Sequence, residues 1–331
     1  MTSFRRDPLG AGWQIIAPDR MARPGAAFSE SPTTPEDCPF CPGNEMQTPP
    51  ELWRGGDGAD WKIRVVPNKF PAAMTPAGAA GPSPSLLQEV PGAGAHEVII
   101  ETDAHDASIG DLTAPELEEV VATWVARVGV HWDDPEIRSV ALFKNSGPLS
   151  GASIHHAHSQ LLAVSMPTAR AEWECAAAER WRFEHGTCLL CATLGEELEQ
   201  GERIVAVGES FVALAPHASR FPYQLWIIPR RHQRTPLDSN SSELRELASM
   251  LRGTAVTFRE NLGLHSYNWA FQLGLTRCVD YHWYLEAFPR LTGQGAFELM
   301  SASYINIVAP EEAAALIRPA FAAVRSAERT R

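Results

Sequence analysis

Two Cys-x-x-Cys pairs, Cys38-Pro-Phe-Cys41 and Cys188-Leu-Leu-Cys191, stand 150 residues apart in this chain. In a reducing compartment such pairs serve metal or redox chemistry more often than structural disulfides. A single four-Cys site drawn from both pairs would need a spacing far outside the usual ~15–20 residues, so each pair is expected to recruit histidines from its own half. A second chemical segment is His155-His156-Ala157-His158-Ser159-Gln160. Side chains alternate along a strand, so His156, His158 and Gln160 should share one face. His158 offers a nucleophilic or acid/base imidazole near neutral pH. Gln160 offers an amide N–H to meet an anionic oxygen. Just upstream, Phe143-Lys144-Asn145-Ser146-Gly147-Pro148-Leu149-Ser150-Gly151-Ala152-Ser153 is a Gly/Ser loop that allows close backbone approach to a phosphate. Histidine, amide and loop together suit attack on phosphorus, with no metal needed at the reacting centre.

The elements that must position these groups occur twice. Each Cys pair is followed by a strand-like run, Ile63–Val66 or Phe211–Ala215, and then by Pro67-Asn68-Lys69-Phe70-Pro71 or Pro216-His217-Ala218-Ser219-Arg220-Phe221-Pro222. A second strand leads to a histidine: Glu97–Glu101 to His105, Leu225–Ile228 to His232. Amphipathic helices follow, with Leu117, Val120, Val121, Trp124, Val125 and Val128 keeping the helical period in one. In the other, Leu244, Leu247, Met250 and Leu251 do so. Both carry capping boxes, Thr113-x-x-Glu116 and Asn240-x-x-Glu243. Strands Ser139–Phe143 and Tyr267–Leu273 come next, then a last strand bearing His155–Gln160 or His282–Glu286. His105 precedes His156 by 51 residues, and His232 precedes His282 by 50.

This is a tandem duplication of an α+β unit, an antiparallel sheet with a long helix packed on it. The units are expected over 1–170 and 171–331, joined by a helix over Trp173–Glu184, with Thr75–Ala95 a surface loop. The duplication supplies two Cys₂His₂ sets: Cys38, Cys41, His105, His156 and Cys188, Cys191, His232, His282. Both suit zinc, and four protein ligands close a site, which makes two structural ions per chain. Cys175 and Cys278 stand alone and read as small buried hydrophobes.

The copies differ at the last strand, where His282, Tyr284 and Glu286 replace His156, His158 and Gln160. A scaffolding residue should persist in both copies, so His158 and Gln160 are read as chemical and the second copy as a degenerate site. Of the 331 residues, 28 are Lys or Arg and 40 are Asp or Glu, a net charge of −12 that argues against a nucleic-acid-coating surface. No apolar run approaches the ~20 residues of a membrane span, and no signal peptide is visible, so a cytoplasmic protein is expected.

Cys38-Pro-Phe-Cys41-Pro-Gly-Asn-Glu45, Phe143-Lys144-Asn145 and Gly151–Gln160 resemble the galactose-1-phosphate uridylyltransferase family of the histidine-triad superfamily. The resemblance runs from Arg5–Leu9 and Trp13–Pro24 to Gly295–Glu298 and Tyr304–Asn306. It implies a homodimeric enzyme with tandem histidine-triad-like units. In its ping-pong reaction His158 attacks the α-phosphorus of a nucleoside-diphosphate sugar, and a second sugar 1-phosphate takes the nucleotidyl group. Gln160 then stabilises the phosphoryl oxygens, and zinc-bound His156 fixes the strand that aims His158. Asn68, Lys69, Asn145, Gly151 and Ser153 match nucleotide and phosphate contacts. Arg20 and Arg23 match arginines serving the sugar phosphate across the dimer interface. Ala157 and Ser159 depart from the Pro and Gly common in the uridylyltransferase branch, and Asn306 stands nearest that branch's hexose-reading Gln. The second ligand set and His282-Trp283-Tyr284 resemble the ADP-glucose:phosphate adenylyltransferase branch, in which inorganic phosphate is an acceptor. UDP-glucose with a hexose 1-phosphate is the first expectation; ADP-glucose or another nucleotide sugar with phosphate stays open. A non-catalytic zinc-stabilised nucleotide-binding protein, and a hydrolase with water as acceptor, are the competing readings.

Overall fold

The computed structural model describes residues 2–7, 12–22, 34–57, 60–74, 86–291 and 293–329. Arg23 and 75–85, part of the expected loop, lie outside them. In chain order the strands of the first half are β1 (Ser3–Arg6), β2 (Trp13–Ile16), β3 (Trp53–Asp57), β4 (Asp60–Pro67), β5 (Glu89–Pro91) and β6 (Gly94–Ile100). Helix α1 (Ala114–Trp132), β7 (Ser139–Ser146) and β8 (His158–Val164) complete that half. Helices α2 (Ala169–His185) and α3 (Leu189–Gln200) lead to β9 (Ile204–Val207), β10 (Phe211–Leu214) and β11 (Leu225–Pro229). Then come α4 (Ser241–Val256), β12 (Tyr267–Gln272), β13 (Tyr284–Pro289), α5 (Ala296–Ser301) and α6 (Pro310–Arg329).

Ten strands make one antiparallel sheet in the order β3-β4-β6-β8-β7-β12-β13-β11-β10-β9. Read inward from either edge, each half places its first, second, third, fifth and fourth strands in the same order. The duplication is therefore a repeat of topology, and the halves meet where β7 pairs with β12, with Phe143 opposite Ala270 and Asn145 opposite Asn268.

The capping boxes form as written. The Thr113 backbone N–H donates to Glu116 Oε2 at 2.8 Å, and the Asn240 N–H to Glu243 Oε2 at 2.7 Å. Both helices bury their apolar stripes in one core with Ile63, Val65, Ile99, Leu142 and Leu161. Trp124 of α1 packs edge-on against Trp269 and Phe271 of β12, so the first half's helix also seals the junction. The opposite face of β4 and β6 supports a smaller cluster of Cys38, Phe40, Cys41, Trp61, Val66, Val98 and Ile100. Thus the sheet has a helix-covered face and a face that carries the Cys loop.

Three expectations need correction. The last strand of the first half begins at His158, not before it, because His156 turns away to the Cys pair and donates from Nε2 to the Thr102 carbonyl at 2.7 Å. Within the expected loop Thr75–Ala95, Glu89–Pro91 is a strand and β6 has already begun at Gly94. The cause is the N-terminal strand: Phe4, fully buried, pairs with Val90 and packs with Ala73, Val164 and Met166. The joining helix is longer than expected, running Ala169–His185 to a left-handed Gly186 cap.

At the sheet edge Glu51 accepts from Arg54 Nη2 at 2.5 Å and from buried Arg64 Nε at 2.6 Å. The Arg54 hydrogen bond, with Arg64 adding to it against the cost of burial, holds the Glu51 carboxyl at about 2. A folded-state value below the unfolded one gives stability that is present above about 4.5 and lost as pH falls toward 2. Thermal melts of wild type and Glu51→Gln should therefore differ most at neutral pH and converge progressively below about 4.5.

Candidate functional site

The first Cys pair sits in a tight turn in which the Cys41 N–H donates to the Cys38 carbonyl at 3.2 Å. Asn44 Nδ2 ties the turn down through the carbonyls of Pro35, Glu36 and Cys38. His105 follows β6 and His156 precedes β8, neighbouring strands, so the sheet brings all four residues together. Their ligand atoms lie within 4.8 Å of one another. His156 Nδ1 is 3.8 Å from Cys38 Sγ and 3.5 Å from Cys41 Sγ, and His105 Nδ1 is 3.1 Å from Cys41 Sγ. His156 Nε2–H donates to the Thr102 carbonyl, so the lone pair is on Nδ1 and faces the space enclosed with the two sulfurs, the outer-shell arrangement of a metal-binding histidine. Burial pushes His156 down to about 4, keeping the imidazole neutral at physiological pH. Burial, with Cys38 beside it, pushes the Cys41 thiol above its ordinary value, so a cation bound there would displace its proton. This donor set fits a metal ion.

The second set, Cys188, Cys191, His232 and His282, is likewise close enough to hold a metal. It is less enclosed, because His232 is exposed. The buried His282 Nε2 has no hydrogen-bond partner among the described residues, unlike its counterpart in His156. Cys188 also caps α3, its Sγ accepting the Cys191 N–H at 3.5 Å.

His158 opens β8 on the face away from α1, and it is buried. Its Nδ1–H donates to the His156 carbonyl at 2.9 Å, which selects the tautomer with the lone pair on Nε2. Phe40, inside the Cys-x-x-Cys turn, packs edge-on against the ring with centroids 5.2 Å apart. The Cys-x-x-Cys turn thus forms one wall of the His158 site. Two residues on, Gln160 shares the His158 face, and its Oε1 lies 3.0 Å from His96 Nε2 and 3.5 Å from Asn68 Nδ2. The Ala72 N–H donates to His96 Nδ1 at 3.0 Å, with Arg20 Nη1 3.4 Å from the same atom and also donating to the Phe70 carbonyl. Arg20 therefore reaches the site of its own chain. Lys69 is exposed beside it, and Ser153 is half-buried in the loop before β8.

That loop leans on the second half. Gly147 has φ +80°, and a Cβ there would lie 2.6 Å from the His265 carbonyl oxygen, so only glycine allows the approach. Asn268 of β12 donates to Asn145 Oδ1 at 2.7 Å and to the Ser150 carbonyl at 3.1 Å. Asn145 Nδ2 consequently faces Gly151, itself left-handed with φ +86°.

Sequence reasoning missed what stands behind the strand. On the helix side, fully buried Glu101 pairs with Lys144 and accepts from the Ser159 hydroxyl, while Lys144 Nζ donates to the His158 carbonyl at 3.0 Å. Burial pulls Lys144 below the ordinary lysine value, against the opposing pull of Glu101. Ser159, odd as a departure in sequence, is explained by this carboxylate. Removing one partner of a buried pair costs about 3–5 kcal/mol. Lys144→Met should show that loss in denaturant unfolding, and Lys144→Arg a smaller one. His96 was missed as well, since one histidine at the mouth of an apolar strand carries no pattern.

Tyr284 and Glu286 open β13 as His158 and Gln160 open β8. Buried Glu286 is clamped by Arg170 Nη1 at 2.6 Å, Arg220 Nη2 at 2.7 Å and Gln272 Nε2 at 2.9 Å. Burial opposes its charge, but Arg170 and Arg220 outweigh it and hold the carboxyl below its usual value. A carboxylate paired with two guanidinium groups thus stands at the position that Gln160 holds in the first half.

The fold defines the class, an α+β protein built from one unit used twice. The family model for the N-terminal domain of galactose-1-phosphate uridyl transferase matches residues 1–167, and the chain belongs to that family. A model for a domain of unknown function (DUF4921) matches 85–330. The chain is 28% identical to an ADP-glucose phosphorylase of Arabidopsis thaliana, over 95% of this chain and 92% of that protein. It is 27% identical to a galactose-1-phosphate uridylyltransferase of Thermotoga maritima, over 96% and 98%. The crystal structure of an ADP-glucose phosphorylase from Arabidopsis thaliana with bound ADP-glucose matches with a TM-score of 0.75 at 27% identity, covering 96% and 98%.

Proposed function

We propose that this nucleotidyltransferase moves a nucleotidyl group between sugar phosphates through His158. The observation that carries the reading is the His158 Nδ1–H bond to the His156 carbonyl just before β8, which leaves the lone pair on Nε2. In the first half-reaction Nε2 forms a bond to the α-phosphorus of a nucleoside-diphosphate sugar. The bond from that phosphorus to the bridging oxygen breaks, and a sugar 1-phosphate departs. In the second, a phosphate oxygen of the incoming acceptor attacks phosphorus, the N–P bond breaks, and the neutral imidazole returns. Splitting the exchange lets one site serve both acceptors. Gln160 donates amide N–H bonds to the phosphoryl oxygens, and backbone N–H groups of the loop through Gly151 and Ser153 cradle them. Asn68, Lys69 and Asn145 hold the nucleotide and phosphate.

Zinc is the ion best suited to both Cys₂His₂ sets, one per set, and it supplies a structural crosslink when bound. We assign 1–170 as the catalytic unit and 171–331 as a degenerate unit, in which Tyr284 stands at the reactive position of His158 and Glu286 at that of Gln160. The working form is a homodimer in the cytoplasm, acting on small phosphates and not on nucleic acid, with Arg20 and Arg23 serving the sugar phosphate. Phe297, Leu299, Met300, Ile305 and Ile307 are exposed apolar side chains of a kind that a second copy would cover. No helix among the described residues is long and apolar enough to cross a membrane.

UDP-glucose with a hexose 1-phosphate acceptor is the pair we propose first. ADP-glucose with inorganic phosphate is the second, supported by the Arabidopsis relative and by the second Cys/His set. Separate incubation with UDP-glucose and ADP-glucose, without acceptor, followed by intact-protein mass, decides between them. A UMP adduct supports the first pair and an AMP adduct the second. No adduct with any nucleotide sugar sinks the transferase reading.

A further inference from the structure

We propose that His96 is a positioning residue that decides which end of the Gln160 amide faces the reacting phosphorus. The inference rests on the reading of His158 and Gln160 just given. A carboxamide can present its oxygen or its N–H bonds, and only the latter attract an anionic phosphoryl group. Nothing in Gln160 itself makes that choice.

The surroundings make it in a chain of hydrogen bonds that starts from the backbone. The Ala72 N–H can only donate, so His96 Nδ1, 3.0 Å away, must accept. Arg20 Nη1, 3.4 Å from the same nitrogen, is likewise only a donor. The proton of neutral His96 is therefore on Nε2, which points at Gln160 Oε1 at 3.0 Å. Asn68 reinforces the choice. Its Oδ1 accepts the Phe70 N–H at 2.9 Å, so its Nδ2 donates, and that nitrogen lies 3.5 Å from the same Gln160 oxygen. The 3.3 Å approach of Asn68 Nδ2 to His96 Nε2 follows from two donors sharing one acceptor. With Oε1 held from two sides, the Gln160 N–H bonds are left to donate on the His158 face. His96 is buried, so water does not readily substitute for its N–H. The register places it correctly: His96 lies opposite Leu162 in the β6–β8 ladder, one diagonal step from Gln160 on the same face.

The test follows formation of the nucleotidyl-His158 adduct by rapid quench and intact mass, with UDP-glucose and ADP-glucose in parallel. His96→Ala should slow adduct formation about 10- to 100-fold, less than the about 10²–10³ that loss of a donor itself costs. His96→Gln can accept from Ala72 and donate to Gln160, and should recover to within about threefold of wild type. In a Gln160→Ala background His96→Ala should add less than about twofold, because the two act as one unit. Metal content and melting temperature of each variant separate misfolding from misorientation. A wild-type rate in His96→Ala overturns the proposal, as does a full additional loss on top of Gln160→Ala, or a folded, metal-loaded His96→Gln as slow as His96→Ala. Absence of any adduct in wild type fails the transferase reading itself, a result distinct from all of these.

Discussion

His158→Ala is expected to abolish the nucleotidyl-enzyme adduct and lower turnover by at least about a thousandfold, while the nucleotide sugar still binds. Removing an imidazole that forms the bond to phosphorus removes the intermediate. No other imidazole takes over: His156 is turned into the Cys cluster with both nitrogens committed, and His96 is held by Ala72 and Gln160. Binding should survive because the loop rests on Asn268, Ser266 and the backbone of His265, not on His158. Equilibrium dialysis of labelled nucleotide sugar and single-turnover kinetics of the same variant check the two halves of this expectation. A variant that keeps turnover within tenfold of wild type would exclude His158 as nucleophile.

The second large effect concerns the Cys clusters, and the two should not respond alike. Cys38→Ser removes a buried ligand from a set whose His156 is pinned through Thr102 and whose Phe40 walls the His158 site. Loss of such a set falls among the few single changes that cost more than about 4 kcal/mol, which at this chain length lowers the melting temperature by about 6 °C or more. Adduct formation should fall with it, since Phe40 moves with the turn. Cys188→Ser should also release about one zinc per chain. Its site includes the exposed His232 and lies at α3, so adduct formation should stay near wild type. Metal analysis by mass spectrometry, calorimetry and the adduct assay on the two variants read these three effects. Equal loss of adduct in both variants would show that the two Cys clusters support His158 alike.

Both expectations draw on features of unequal legibility. The pairing of each Cys-x-x-Cys with two histidines about 50 residues apart could be read directly, because a fourfold ligand set repeated in one order has few rival explanations. The helices were equally plain, since Leu117 to Val128 and Leu244 to Leu251 keep a 3.6-residue period and their caps are local. Strand limits were not. His156 looked like a strand residue because alternation continues through it, yet its side chain answers to Thr102 and the Cys pair, which are distant in the chain. Glu89–Pro91 looked like loop because its partner is the N-terminal Ser3–Arg6, and nothing local announces that pairing.

By itself the sequence determined the two-unit plan, the two metal-capable sets and the inequality of the two last strands. Each of these depends on residue types at fixed spacings, information that is carried locally. Only the tertiary structure decided the chemistry of orientation. It joined the halves through β7 and β12, set the second half's Asn268 under the first half's loop, and put Lys144 and Glu101 behind His158. It also placed His96 against Gln160. Tautomers and amide orientations follow from which donor meets which acceptor, and those meetings are made by strands far apart in the chain.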